Sequence, residues 1–163
     1  MVRPLLAACT VAALLPPVLQ GQSRPDEVRF HVGTATFFEA RQHVTAGGAY
    51  RLYFGKRGWG IEPEFSAMFV PDHTDNMAAL SVVKDLSRPT AKRVWYMLMG
   101  GGMNYQTGRT RSSRPYWGAL AWGLGMKARV GRRWYVAPQV RIGVEPNFRF
   151  SVFLGRRMGK AGQ

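Results

Sequence analysis

The sequence predicts an all-β chain, an eight-stranded antiparallel up-and-down transmembrane β-barrel. Three observations predict it. Apolar and polar residues alternate with a period of two in run after run, the pattern of side chains pointing to opposite faces of a sheet. The runs number eight, are near the length of a tilted membrane-crossing strand, and are separated by turn-like segments that suit antiparallel hairpins. One face of the runs is bulky and apolar, whereas the other mixes small residues with charges of both signs.

Each run follows from its residues. Residues 28–38 place Arg29, His31 and Gly33 on the polar face, and residues 43–54 place Gly47 and Arg51 there. Gly55-Lys56-Arg57-Gly58 reads as a tight turn. In residues 60–70, Ile61, Pro63, Phe65, Ala67 and Phe69 oppose Glu62, Glu64, Ser66 and Met68. Residues 71–75 read as a loop. Residues 76–85 form a weaker strand, in which Met77, Leu80 and Val83 also have helical spacing. A turn at 86–92 contains Ser87 and Pro89, and the fifth strand covers 93–105. A polar loop rich in Arg, Ser and Gly follows at 106–115. In residues 116–130, Leu120, Trp122, Leu124, Met126, Ala128 and Val130 oppose Ala119, Ala121, Gly123, Gly125, Lys127 and Arg129. After the tight turn Gly131-Arg132-Arg133, residues 134–144 set Trp134, Val136, Val140, Ile142 and Val144 against Tyr135, Gln139 and Arg141. Glu145-Pro146 turns into residues 147–156, where Phe148, Phe150, Val152 and Leu154 oppose Asn147, Arg149 and Ser151.

The N-terminus reads as a secretory signal over residues 1–21, leaving a single domain over 22–163. Arg3 opens it, an uncharged apolar run covers 5–15, and Pro16-Pro17 breaks the run before a cleavage site at Leu19-Gln20-Gly21. Beyond it no stretch reaches the roughly 18–20 apolar residues of a membrane helix, so a membrane would be crossed by strands. Cys9 is the one cysteine, which excludes an intrachain disulfide and argues against a thiolate metal site.

The orientation of the faces separates two readings. In a membrane barrel the apolar face points outward and the polar face fills the lumen. In the alternative, an exported soluble lipocalin-like carrier of an apolar ligand, the apolar faces line an interior cavity. Small residues among paired charges suit a narrow lumen better than a solvent-facing surface. We therefore expect a lumenal charge network of Arg51, Glu62, Glu64, Arg141 and Arg149 that leaves no continuous channel, with Arg51 opposite Glu64 across a hairpin centred between Lys56 and Gly60. Trp59, Trp95, Tyr116, Trp117, Trp134 and Tyr135 lie near strand ends, where membrane barrels concentrate aromatic residues.

The formal charge of +14 narrows the partners. The basic residues collect at turns and are not interleaved with stacking aromatics on one exposed face, which argues against nucleic acid. Lys56, Arg57, Arg88, Lys92, Arg93, Arg132, Arg133, Arg156, Arg157 and Lys160 fall at the end that carries both termini, where they would meet anionic headgroups. Arg109, Arg111 and Arg114 fall at the opposite end, placed to face lipopolysaccharide phosphates.

Two C-terminal segments carry a family resemblance: Gly131-Arg132-Arg133-Trp134-Tyr135-Val136-Ala137-Pro138-Gln139-Val140-Arg141 and Phe148-Arg149-Phe150-Ser151-Val152-Phe153-Leu154-Gly155. They resemble the small bacterial outer-membrane β-barrel proteins, in which a turn leads into an aromatic-rich strand and then a final strand. The resemblance implies the barrel fold, residence in the cell outer membrane, and lipid, lipopolysaccharide and the barrel assembly machinery as partners of a monomer. It implies no specific activity. In one departure, Arg156-Arg157-Met158 and a polar tail follow Gly155, where the family closes its last strand with an aromatic residue.

Catalytic patterns are weak. His31, His43 and His73 stand in no nucleophile-activating spacing. Asp72-His73-Thr74-Asp75-Asn76 offers groups for metal or acid–base work but consists of ordinary turn residues. Glu62 and Glu64 share a strand face, where salt bridging is the expected role. Gly100-Gly101-Gly102 lacks the Lys-Ser/Thr of a phosphate loop and reads as a bend or close packing. We expect no catalytic residue, no metal and no cofactor, and a structural or surface-interaction role with at most a very narrow solute path.

Overall fold

A computed structural model describes residues 24–36, 42–54, 57–71, 73–88, 90–108, 116–144 and 148–159. The residues read as a signal, Cys9, and Arg109, Arg111 and Arg114 lie outside them. Eight strands follow in order: β1 (Asp26–Thr36), β2 (Gln42–Phe54), β3 (Trp59–Val70), β4 (His73–Asp85), β5 (Arg93–Gly108), β6 (Tyr116–Arg129), β7 (Trp134–Gly143) and β8 (Phe148–Met158). Each pairs antiparallel with its neighbours in sequence, and β8 returns to β1, closing the barrel. Closure removes both edges, so the backbone polar groups of every strand find partners within the sheet.

Several strands start or end outside the bounds that the alternation indicates. β1 starts at Asp26 because Asp26 and Glu27 pair with Met158 and Arg157, which carry β8 past residue 156. β4 starts at His73, inside the expected loop, because Val70↔His73 continues the β3 ladder up to the turn. The helical spacing of Met77, Leu80 and Val83 has no structural counterpart. This segment is paired on both sides, by β3 and β5, and a helix there would open two ladders. In the β5–β6 ladder the register shifts between Gly102 and Met103. A Cβ on Gly100 or Gly102 would lie 2.3 Å from the carbonyl oxygen of Leu80 or Ala78, so the glycine run marks close packing of β5 on β4.

Two prolines interrupt the ladders. The β2–β3 pairing lapses between Ala49↔Glu64 and Leu52↔Ile61, beside Pro63. The β6–β7 pairing lapses between Gly125↔Gln139 and Ala128↔Val136, beside Pro138. Proline has no N–H to donate, so it weakens the ladder where it stands.

The faces point as a membrane barrel requires. Phe30, Val32, Leu120 and Trp122 are each more than 60% exposed on the outer wall, and Phe148, Phe150, Val152 and Leu154 also face outward. Arg29, Arg51, Glu62, Tyr135, Gln139 and Phe153 are almost wholly buried inside. The lipocalin-like alternative is not favoured, since the apolar faces do not line the interior. Arg129 keeps the parity of the polar face, opposite the inward Tyr135, but as the last residue of β6 it lies exposed at the rim.

Inward glycines make room for inward rings. Tyr96 pairs with Gly125 and Tyr135 with Gly155. A Cβ on Gly125 would lie 2.4 Å from the Tyr96 ring, and one on Gly155 would lie 2.1 Å from the Tyr135 ring. Each tyrosine thus lies across a neighbouring strand that has no side chain at that point, and the lumen fills without spreading the sheet. Gly155→Val is expected to destabilise the barrel by about 1–3 kcal/mol through overpacking. Tyr135→Ala in the same chain should recover part of that loss. The check is the urea midpoint of the protein refolded in detergent micelles.

Candidate functional site: the charged lumen

The inward side chains form three tiers along the barrel axis. Each tier combines residues of several strands, because inward positions recur at every second residue of each strand. The first tier lies nearest the chain termini. Lys127 from β6 donates to Glu27 of β1 at 3.2 Å and to Asp85 of β4 at 3.0 Å. Tyr135 donates to Glu27 at 2.7 Å, and Tyr53 donates to Asp85 at 3.1 Å. Arg24, just before β1, reaches across this mouth to the Asp85 carboxylate and donates to the Ser87 carbonyl at 3.0 Å.

Glu62 organises the middle tier. Arg29 donates to its Oε2 at 2.5 Å and Arg51 Nε to the same oxygen at 2.7 Å, while Arg141 approaches Oε1 at 3.4 Å. The guanidiniums also lie on aromatic faces, Arg29 3.9 Å from the Phe153 centroid and Arg51 4.3 Å from that of Tyr96. Arg29 donates to the Tyr96 hydroxyl at 2.7 Å. The Gln139 amide, turned so that its nitrogen meets this hydroxyl at 2.9 Å, accepts from Arg141 Nε at 2.7 Å.

Glu64 holds the third tier. Arg141 and Arg149 each bond one of its oxygens, and Arg149 donates to Ser66 Oγ at 3.3 Å. His31 Nε2 stands 3.6 Å from the same carboxylate, and its ring packs on Phe153 at 4.7 Å between centroids. Gly47, opposite His31, leaves space for the imidazole: a Cβ there would lie 2.7 Å from Nε2.

The structure thus brings Arg51, Glu62, Glu64, Arg141 and Arg149 together inside the barrel. One detail of the expectation is corrected. The β2–β3 register pairs Ala49 with Glu64 and Leu52 with Ile61, so Arg51 stands across from Glu62, two residues from the expected partner. The ladder runs to Phe54↔Trp59, and Gly58 in the turn has a φ of 74° that other residues rarely adopt. Tyr135, expected in the aromatic belt, is buried in the first tier. Trp59, Trp95 and Trp134 are exposed near the terminal end of their strands, whereas the side chains of Tyr116 and Trp117 lie outside the described residues.

Several members of the network were not anticipated. Glu27 and Asp85 supply half of the four buried carboxylates among the described residues, Tyr53 joins them in the first tier, and Tyr96 links the tiers by accepting from Arg29 with its ring 5.7 Å from the Lys127 ammonium. Parity carried the signal: Glu27 is two residues before Arg29, and Asp85 is two after Val83, both on the inward set. The 72–76 segment makes no comparable cluster. His73 and Asp75 approach to 3.5 Å at the far rim, and Asp72 is outside the described residues. Among the described residues, no group of three His, Cys, Asp or Glu is arranged to hold a metal.

Two small cavities are lined by the described residues. A cavity of about 20 Å³ lies at the far end beside Thr45, Ser66, Asn104 and Arg149, and one of about 60 Å³ lies at the terminal mouth beside Glu27, Asp85, Lys127 and Arg157. These volumes suit about one water and a few waters respectively.

No family model matches the chain, and no curated protein matches it. Among solved structures, the N-terminal β-barrel domain of OprF from Pseudomonas aeruginosa superposes with a TM-score of 0.56 at 15% identity, covering 85% of this chain and 100% of that one. Ail, the attachment invasion locus protein of Yersinia pestis, solved with the heparin analogue sucrose octasulfate, gives 0.49 at 14% identity over 80% of this chain and 94% of that one. A de novo designed protein, TMB2.3, gives 0.46 at 12% identity over 85% and 99%. The OprF likeness is one of fold, an eight-stranded antiparallel transmembrane barrel.

Glu62→Gln is expected to leave Arg29, Arg51 and Arg141 short of a counter-charge in a dry interior and to destabilise the barrel by about 3–5 kcal/mol. Urea unfolding from micelles measures it. A double-mutant cycle with Arg51→Gln should show strong coupling, since the two residues share one pair of ion-paired groups.

Proposed function

We propose that the protein resides in the outer membrane of a bacterium with a Gram-negative-type envelope. There it serves as a structural or surface-interaction barrel whose lumen is occupied by its own ion-paired side chains. The observation that carries this reading is the inverted polarity of a closed sheet: an apolar outer wall around a buried interior of arginines, lysine and carboxylates. Water on both sides would leave the outer wall of Phe30, Val32, Leu120 and Trp122 without a partner, whereas acyl chains match it. Backbone pairing around the closed sheet meets the same requirement.

The reading assigns at most a very narrow solute path and no catalytic chemistry. The Glu62 tier crosses the lumen from β1, β2 and β3 to β5 and β7, and a solute wider than water would have to break several charge-assisted hydrogen bonds to pass. Arg109, Arg111 and Arg114 are proposed to face lipopolysaccharide, and insertion is proposed to proceed through the barrel assembly machinery, with a monomer as the product.

Fractionation of expressing cells should recover the protein in the outer membrane, with a mobility shift between unheated and boiled samples on a denaturing gel. Recovery in the soluble periplasm without a shift would refute the reading. In planar bilayers the purified barrel should show no steady conductance of porin size. A stable open channel would overturn the filled lumen while leaving the location intact.

A further inference from the structure

The end of the barrel that carries both termini has an unbalanced charge. Arg57, Lys92, Arg93, Arg132, Arg133 and Arg156 are all exposed there. The chain has nine acidic residues, and only Asp26, Glu27 and Asp85 fall at this end. Glu27 and Asp85 are buried in the lumen, and Asp26 is turned onto β2, accepting from the Tyr53 amide at 3.1 Å and from the Tyr50 hydroxyl at 3.4 Å. Among the described residues, no exposed acidic side chain stands at this end beside Arg57, Lys92, Arg93, Arg132, Arg133 and Arg156.

The imbalance is sharpest where β7 meets β8. Trp134 pairs with Arg156, and one step nearer the rim the Arg157 amide donates to the Arg133 carbonyl at 2.9 Å, so Arg133 and Arg157 stand across from each other. Like charges directly opposite across a ladder are unfavourable. Arg157 lines the lumenal mouth beside Glu27 and Asp85, which leaves Arg133 and the outward Arg156 as the pair available to an outside anion.

The surroundings specify the kind of anion. Arg156 stands on the outer wall, with its guanidinium carbon 5.6 Å from the Trp134 ring centroid. The next outward pair along the same ladder is Val136↔Leu154, part of the apolar wall. The arrangement is repeated on the other side of the barrel. There Lys84 pairs with Trp59 and holds its ammonium 4.8 Å from the ring, above the outward Ile61 and Val82. Each patch thus stacks a cation, an indole and an apolar surface in that order from rim to midline. A small soluble anion uses only the first of these, whereas an anionic amphiphile uses all three.

We propose that the Trp134–Arg156 patch with Arg133, and its counterpart Trp59–Lys84, bind the headgroups of anionic phospholipids in the leaflet at the terminal end of the barrel. This rests on the membrane placement proposed above. The phosphate lies between Arg133 and Arg156, the glycerol region lies along the Trp134 ring, and the acyl chains follow Leu154 and Val136. The cation–π contacts hold each cation at the depth of the headgroup, where it attracts negative lipid most strongly.

The test uses the full chain reconstituted in phosphatidylcholine vesicles that contain trace spin-labelled phosphatidylglycerol or spin-labelled phosphatidylcholine. The motionally restricted fraction of each label reports its residence on the barrel wall. The wild type should hold phosphatidylglycerol in clear preference to phosphatidylcholine, and the preference should weaken with salt. Replacing Arg133 and Arg156 by Gln should lower it by roughly fivefold per arginine, whereas Arg133→Lys with Arg156→Lys should largely keep it. Heat-modifiability of each variant verifies that the barrel is inserted, so a failed membrane placement is told apart from a failed lipid site. Equal association of the two lipids with inserted wild-type barrel would overturn the proposal, as would a preference that survives both Gln substitutions. Binding of a soluble polyphosphate to the same arginines without any preference for phosphatidylglycerol would overturn it in favour of a soluble polyanion.

Discussion

The fold rests on neutralising charge inside a space closed to water. Once eight strands close, every inward side chain leaves bulk solvent, and an isolated charge there would be prohibitively costly. Glu62 meets that constraint at the centre of the barrel by engaging Arg29, Arg51 and Arg141 from three other strands. Glu27 with Lys127 and Glu64 with Arg149 do the same on either side. Apart from Arg51–Glu62, these pairs connect strands that share no ladder, such as β3 with β7 and β1 with β6. They add cross-bracing that backbone hydrogen bonds between neighbours do not provide.

Space is the second constraint and is met together with the first. Arginine and tyrosine are long, and a narrow lumen admits them only where the facing position is small. Gly125 beneath Tyr96, Gly155 beneath Tyr135 and Gly47 beneath His31 provide those positions. The aromatic rings then return electrostatic value by presenting their faces to Arg29 and Arg51. The outer wall needs none of this fitting, because acyl chains are fluid and adapt to whatever apolar relief the strands present.

The fold was legible because its signal is local. Period-two alternation in β3, β7 and β8 assigns both face and strand, and the charges among the small residues of the inward set indicate the inversion of polarity. The candidate site was legible only in part. Arg51, Glu62, Glu64, Arg141 and Arg149 share that inward set, so their confinement to one space follows from closure. Glu27 and Asp85 were passed over because each sits at the end of a strand, where alternation has too few residues left to establish parity. Tyr135 was assigned to the outer belt on its closeness to a turn, although its position one residue after Trp134 puts it on the opposite face. The Arg51 partner was misplaced by two residues, because the hairpin was centred too late in the chain: the ladder closes at Phe54↔Trp59, which puts Glu62 across from Arg51.

Alternation, run length and the count of runs therefore indicate from residue order alone eight strands, each with one apolar and one polar face, since the pleat sets a strand's two faces without a distant partner; that the apolar face points outward is decided by the closed structure. Which arginine neutralises which carboxylate is a matter of axial stagger. That depends on the register of all eight ladders at once, including the shift at Gly102/Met103 and the interruptions beside Pro63 and Pro138. A one-residue slip in any hairpin would reverse a whole strand's faces, and a two-residue slip would keep the faces but exchange the ion pairs. The tertiary structure alone resolves that second kind of difference, because the charge pairs form across the lumen between residues far apart in sequence, as Arg141 and Glu62 do.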